Sequence, residues 1–216
     1  MMRANIIKRV LSCALVLSLV MAPAMGVSAK TVTTTTSGNC ATATKEASKK
    51  VSEVKAIAST SKVAGITSSV SGVYMLEKVN GGAITTDLGT ISQSYGLASG
   101  EKLYAKMMDM DAKKSNLAKA CMDAAAAAMG AEVGPCVNIE LGKMAGGQYS
   151  VLPAEGATIR IALGVPANFV QDGKTFAMVR VREGGVVDIL ADVDTNPNTI
   201  TFDTTAGAGA YAMIKY

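Results

Sequence analysis

The stretch Asp192-Val193-Asp194-Thr195-Asn196-Pro197-Asn198, with Asp203 at the twelfth place counted from Asp192, alternates oxygen-bearing side chains at the spacing of a cation loop. Calcium is held by carboxylate, carboxamide and carbonyl oxygens, commonly in a loop whose last ligand is acidic. Asp192, Asp194, Asn196, Asn198 and Asp203 are therefore the candidate calcium ligands. Three departures weigh against that reading. Pro197 fixes φ where such a loop turns on a glycine, Asp203 stands in place of a bidentate Glu, and strand-like rather than helical sequence flanks the segment. A solvated hairpin turn is the competing reading.

Other chemistry is poorly supplied. The chain has no His, which removes imidazole-activated nucleophiles, His-ligated zinc and the usual near-neutral proton switch. Ser94, Ser99 and Ser150 have only a motif-free pairing with Lys102 or Lys143 to activate them. Asp109, Asp111, Glu132 and Glu140 could form a carboxylate pair, yet the absence of Trp gives no support to sugar stacking. Met107, Met108, Met110, Met122 and Met129 offer thioethers for a metal or an adaptable apolar surface, and equally serve as core filling. Gly207 and Gly209 lack the GK[ST] sequence of a phosphate loop. No catalytic residue and no cofactor is expected.

The elements that must position these residues begin with a leader. Arg3, Lys8 and Arg9 precede an apolar run from Val10 to Val20, and Val27-Ser28-Ala29 matches a signal-peptidase site. Residues 1–29 read as a Sec signal cleaved after Ala29, and the run is too short to stay as a membrane span. Of the 21 basic residues, loss of those three leaves 18 against 17 acidic ones. Near-neutrality argues against nucleic acid and against a polybasic membrane patch.

Cys13 falls inside the signal, leaving Cys40, Cys121 and Cys136. An exported chain favours a Cys121 to Cys136 bridge, with Cys40 left free or pairing between molecules as a disulfide-linked dimer. Three reduced thiols acting as small apolar fillers is the other reading.

Residues 30–62 read as a Thr-rich linker, Thr31 to Ser37, and an amphipathic helix over 44–60 with Ala47, Val51, Val54 and Ile57 on one stripe. Residues 63–216 read as an α+β domain. Gly72 to Val79 predicts a strand, and Asn80-Gly81-Gly82 a turn. Ala83 to Leu97 predicts short strands or an ordered loop, and Leu103, Met107 and Met108 a short helical pattern. A helix is expected over 112–129, capped by Asp111, with Leu117, Cys121 and Met122 on its buried face. After Pro135 the strand candidates are 136–144, 158–165, 174–182, 186–191, 199–204 and 209–215, parted by Gly and Asn turns. Such punctuation predicts an antiparallel β-sandwich over 135–216, Ig-like, with a packed helix and a helical N-terminal leader.

Thr158-Ile159-Arg160-Ile161-Ala162-Leu163, the Pro166 turn, Lys174 to Val181, Gly184-Gly185, Val187 to Leu190 and the closing Thr199 to Ile214 hairpin together resemble a known family. It is the C-terminal β-sandwich module of secreted and surface proteins from Gram-positive, mainly clostridial, bacteria. The resemblance covers about the second half of the chain when Leu117 to Met129 and Val137 to Leu141 are included. It implies a fold rather than an activity. Where that family carries a charged and aromatic segment before its last strand, this chain has Ala206-Gly207-Ala208-Gly209-Ala210.

Export, this resemblance and the missing catalytic equipment lead to one expectation. The chain is a secreted or envelope module that associates with a protein or surface partner, and an extracellular small-ligand or metal-ion binder is the alternative. The C-terminus Met213-Ile214-Lys215-Tyr216 carries no LPxTG-like sorting sequence.

Overall fold

The computed structural model describes residues 61–216. The expected signal segment, the linker, the 44–60 helix and Cys40 lie outside the described residues. In chain order the elements are β1 (Lys62–Val63), β2 (Ile66–Thr67), β3 (Gly72–Met75), β4 (Gly82–Ile84), α1 (Leu88–Ser94), β5 (Lys102–Asp109) and α2 (Asn116–Ala128). There follow β6 (Glu132–Ala145), β7 (Gln148–Val151), β8 (Ile159–Gly164), β9 (Phe176–Val181), β10 (Val187–Ala191), β11 (Thr199–Thr204) and β12 (Gly207–Lys215).

These strands build a seven-stranded sheet in the order β10-β9-β12-β6-β5-β3, with β7 paired to β6, and a three-stranded sheet in the order β11-β8-β4. Pairing is antiparallel except between β3 and β5, which run parallel. The fold is α+β, mostly sheet with two helices among the described residues.

Side-chain alternation decides what lies where. Along β9, Phe176 and Met178 enter a core shared with Ile161, Leu163, Ile200 and Phe202 of the small sheet. Ala177, Val179 and Val181 turn to the opposite face, against Met122 and Ala126 of α2. β12 repeats the division, with Tyr211 and Met213 on one side and Ala212 and Ile214 on the other. Both faces of the large sheet are therefore covered around β9 and β12, which is why all six residues of β9 are buried. On the outside of the small sheet the β1–β2 hairpin lays Val63 over Ala83 and Ala162.

Several local expectations give way to tertiary context. Leu103 and Met107 are four residues apart, a spacing that suits a helix turn and equally one face of a strand. Together with Ala105 they form the buried face of β5, so the expected helical pattern is a strand. α2 starts at Asn116 after Ser115, later than expected, because Asp111 organises a preceding turn and accepts from Lys113 N at 3.0 Å. Leu117 points outward and is 79% exposed, while Ala118, Cys121, Met122, Ala125 and Ala126 carry the packed stripe. α1 was not expected within 83–97. Its signal is Asp87, whose carboxylate accepts from Thr90 N at 3.0 Å as an N-cap.

The sixth strand begins at Glu132 and passes through Pro135 rather than starting after it. Between Cys136 and Val133 its register against β12 slips by one residue. That bulge accommodates a proline in a central strand, since a bulged residue makes no ladder bond.

Gly72 sits where β3 meets β5 most closely. A Cβ there would lie 1.9 Å from the Ala105 carbonyl oxygen, a backbone atom that cannot step aside. Gly72→Ala is expected to cost about 2–4 kcal/mol. Urea unfolding reads this as a lower midpoint with unchanged slope.

Candidate association surface

β10 ends one side of the large sheet and, among the described residues, pairs on one side only, with β9. A short connection places it there: the turn Glu183–Gly185 uses positive φ at Gly184 and Gly185, and Arg182 N donates to the Val186 carbonyl at 2.9 Å. That bond sets the alternation. Asp188 and Leu190 direct their main-chain groups to β9, so Val187, Ile189 and Ala191 direct theirs away from the sheet.

The same three residues are the exposed ones. Val187 lies opposite Val181, Ile189 opposite Val179 and Ala191 opposite Ala177, all on the helix face. Val187 is 38% and Ile189 45% exposed, and Val186 and Val193 flank them in the open. The one charge of β10, Asp188, faces the other way and is forked by Arg182 at 2.9 and 3.3 Å. Leu190 on that face packs on the inter-sheet core.

Edges of the small sheet are finished differently. On β11, Thr201 N donates to the Asp192 carboxylate at 2.9 Å, and the Thr201 carbonyl accepts from Val193 N at 2.7 Å. On β4, the Ile84 carbonyl accepts from Ser69 N at 2.9 Å and Ile84 N donates to Ser68 Oγ at 3.0 Å. Among the described residues no side chain caps β10, and the strand has no proline, lysine or bulge to blunt it.

The oxygen-rich segment serves this architecture. Asp192 accepts from Asp194 N and Thr201 N, Asp194 from Asn196 N and from the hydroxyls of Thr199 and Thr201, and Asn196 from Asn198 N. These successive Asx turns bring Asp192, Asp194, Asn196 and Asn198 together and lash the segment to β11. Asp203 is not among them. It forms a bidentate pair with Arg160 at 2.8 and 2.9 Å, and that guanidinium holds its carboxyl below the usual range. No cluster of three or more His, Cys, Asp or Glu with metal-holding geometry occurs among the described residues.

Cys121 and Cys136 are both free thiols, Cys121 half-buried on α2 and Cys136 buried on β6, in the layer between helix and sheet. Burial pushes the Cys136 thiol up. The methionines are divided: Met107 fills the inter-sheet core, whereas Met110, Met122 and Met129 pack in the helix layer.

Beyond α2 the same sheet face carries Tyr149 above Gly142, edge-on to Tyr104, with Lys106 Nζ 3.4 Å from its ring centre and 3.0 Å from Glu140. A cavity of about 600 Å³ opens nearby, lined by Leu88, Leu103, Tyr104, Met144 and the polar Glu101 and Lys102. Sequence reading had no signal for this platform, because its members come from three separate strands.

No protein-family model matches the chain, and no curated protein or solved structure shows a significant similarity to it. The surface is therefore read from its own chemistry.

Burial pushes the Asp192 carboxyl up, so its ionisation opposes folding. Stability from this group is greatest below the ordinary Asp value of 3.8 and falls as pH rises through the raised folded value. Asp192→Asn keeps an acceptor for both N–H groups and loses that charge. Its stability relative to the parent chain should increase across that window, whereas Asp192→Ala should cost about 1–3 kcal/mol at neutral pH. Thermal unfolding from pH 3 to pH 8 measures both. Alkylation provides a second check: Cys121 should label in the native chain and Cys136 only on unfolding. Native protection of both thiols, relieved by reductant, would place a bridge between them.

Proposed function

We propose that this chain is an exported, non-enzymatic module that associates with a protein or surface partner at the cell envelope. The observation that carries the reading is the open edge of β10, where unpaired main-chain groups and a row of exposed aliphatic side chains coincide. Such an edge is a template for another chain, and β-strand addition is a recurrent mode of recognition. The leader over 1–29 supports export. The likeness of 157–216 to Gram-positive surface modules supports the envelope, and with it an Ig-like reading of the two facing sheets.

A second reading, an extracellular small-ligand binder, is favoured by the roughly 600 Å³ cavity beside Tyr104 and Met144, whose size and mixed lining suit a small apolar molecule.

Fractionation of producing cells tests the first reading. The chain should be recovered in the envelope fraction with Lys30 as its first residue. Ile189→Lys should move most of it to the medium while leaving its circular dichroism and Tm unchanged. Equal retention of both forms would count against the edge, and a Tm raised by an apolar ligand but insensitive to Ile189 would favour the cavity.

A further inference from the structure

We infer that the occupant of the β10 edge is a second copy of this chain, paired antiparallel to β10 about Ile189. The inference rests on the association reading above and names its partner. Three features of the strand converge on it.

The first is main-chain parity. Val187, Ile189 and Ala191 all present N–H and C=O outward, and a two-fold axis perpendicular to the sheet at Ile189 sets these three against Ala191, Ile189 and Val187 of the second copy. About six main-chain hydrogen bonds close in that arrangement.

The second is the side-chain face. The axis keeps the helix side of both copies on one side of the joined sheet, so Val187 meets Ala191 and Ile189 meets Ile189 across the junction. The exposed aliphatic row of each copy is thereby extended by its own counterpart. Pairing of this isologous kind closes after two subunits and uses up the β10 edge of both.

The third is charge, which selects the register. Centring the pair on Asp188 would oppose Asp188 to itself, and centring it on Leu190 would oppose Asp188 to Asp192; like charges directly opposite destabilise a ladder. Centring on Ile189 places each Asp188 opposite Leu190, leaves the two Asp188 carboxylates only diagonal to one another, and lets each keep its Arg182. Of the registers centred on Asp188, Ile189 and Leu190, the one on Ile189 keeps like charges from standing directly opposite.

Sedimentation of the purified chain under reducing conditions, which remove any disulfide-linked dimer, should show a reversible dimer over about 1–100 μM. Ile189→Lys should weaken it at least about tenfold with unchanged circular dichroism. Register is read by cysteine variants. In the proposed pair the two Ile189 Cα atoms lie ~5.5 Å apart, within disulfide reach. Ile189→Cys should therefore crosslink to a dimer on mild oxidation. Val187→Cys, whose own counterpart is four residues along the ladder or roughly 13 Å away, should not. The native thiols are common to both variants, so the difference between them reports the register. A chain that stays monomeric throughout the range, a dimer indifferent to Ile189→Lys, or crosslinking through position 187 rather than 189 would each overturn the inference. Envelope retention lost in Ile189→Lys from an otherwise monomeric chain would overturn only the second copy and leave the association reading with a foreign partner.

Discussion

Everything in this fold depends on β12 lying between β6 and β9 with both its faces buried. A central strand buried on two sides must divide its side chains by size as well as by polarity. β12 does so: Tyr211 and Met213 fill the space between the sheets, while Ala210 and Ala212 leave room for a helix. α2 answers with Ala118, Ala125 and Ala126 on its inner stripe. Small residues on both partners permit close approach, and Met122, Val179 and Ile214 fill the space left between helix and sheet. The inter-sheet core carries the large apolar area, including Tyr74, Phe202 and Tyr211.

That arrangement strands one cation. Arg180 of β9 alternates with Phe176 and Met178 toward the inter-sheet side and is 3% exposed. Its Nη1 and Nη2 donate to Thr205 Oγ1 and the Ala206 carbonyl at 3.0 and 3.2 Å, its face meets the Tyr211 ring, and Nε has no partner among the described residues. Neutral acceptors from the β11–β12 turn thus replace the carboxylate that a buried guanidinium usually demands. In consequence the turn at Thr205 and Ala206 is tied to β9, and the last two strands, one in each sheet, are fixed relative to the same residue. Tyr95 contributes from the other side, accepting from Ala206 N at 3.0 Å.

Much of the β-rich half was legible because periodicity and turn chemistry agreed. Ile159 to Leu163 and Phe176 to Val181 alternate visibly, and Gly184-Gly185 breaks them where the chain turns. β5 was misread since a spacing of four residues serves either period. Leu117 was misplaced because the buried stripe runs through Ala118, Cys121, Met122, Ala125 and Ala126, and helix periodicity puts Leu117 beside that stripe rather than on it. Pro135 argued for a strand boundary, and only the pairing partner reveals the bulge that tolerates it. The oxygen-rich loop shows a different limit. Alternating Asp and Asn side chains look alike whether their oxygens await a cation or fold back on their own main chain, and it is the donors supplied by Thr199 and Thr201 that distinguish the uses. Which strand ends a sheet is likewise a topological fact, invisible in the strand's own sequence.

Edge protection is the measure by which β10 stands out. A sheet that must end in water needs some device at its last strand, and the small sheet supplies one at each side through Asp192, Val193, Ser68 and Ser69. β10 could have been protected at little cost by turning its single charge to the open face. Instead Asp188 is committed to Arg182 on the side facing the small sheet, and the open face is left to Val187, Ile189 and Ala191. In an isolated molecule that choice is a liability, because it joins exposed aliphatic area to unpaired main-chain donors and acceptors. The liability disappears if the strand is normally covered. Among the described residues, the β10 edge thus differs from both edges of the small sheet by joining uncapped main-chain groups to aliphatic side chains.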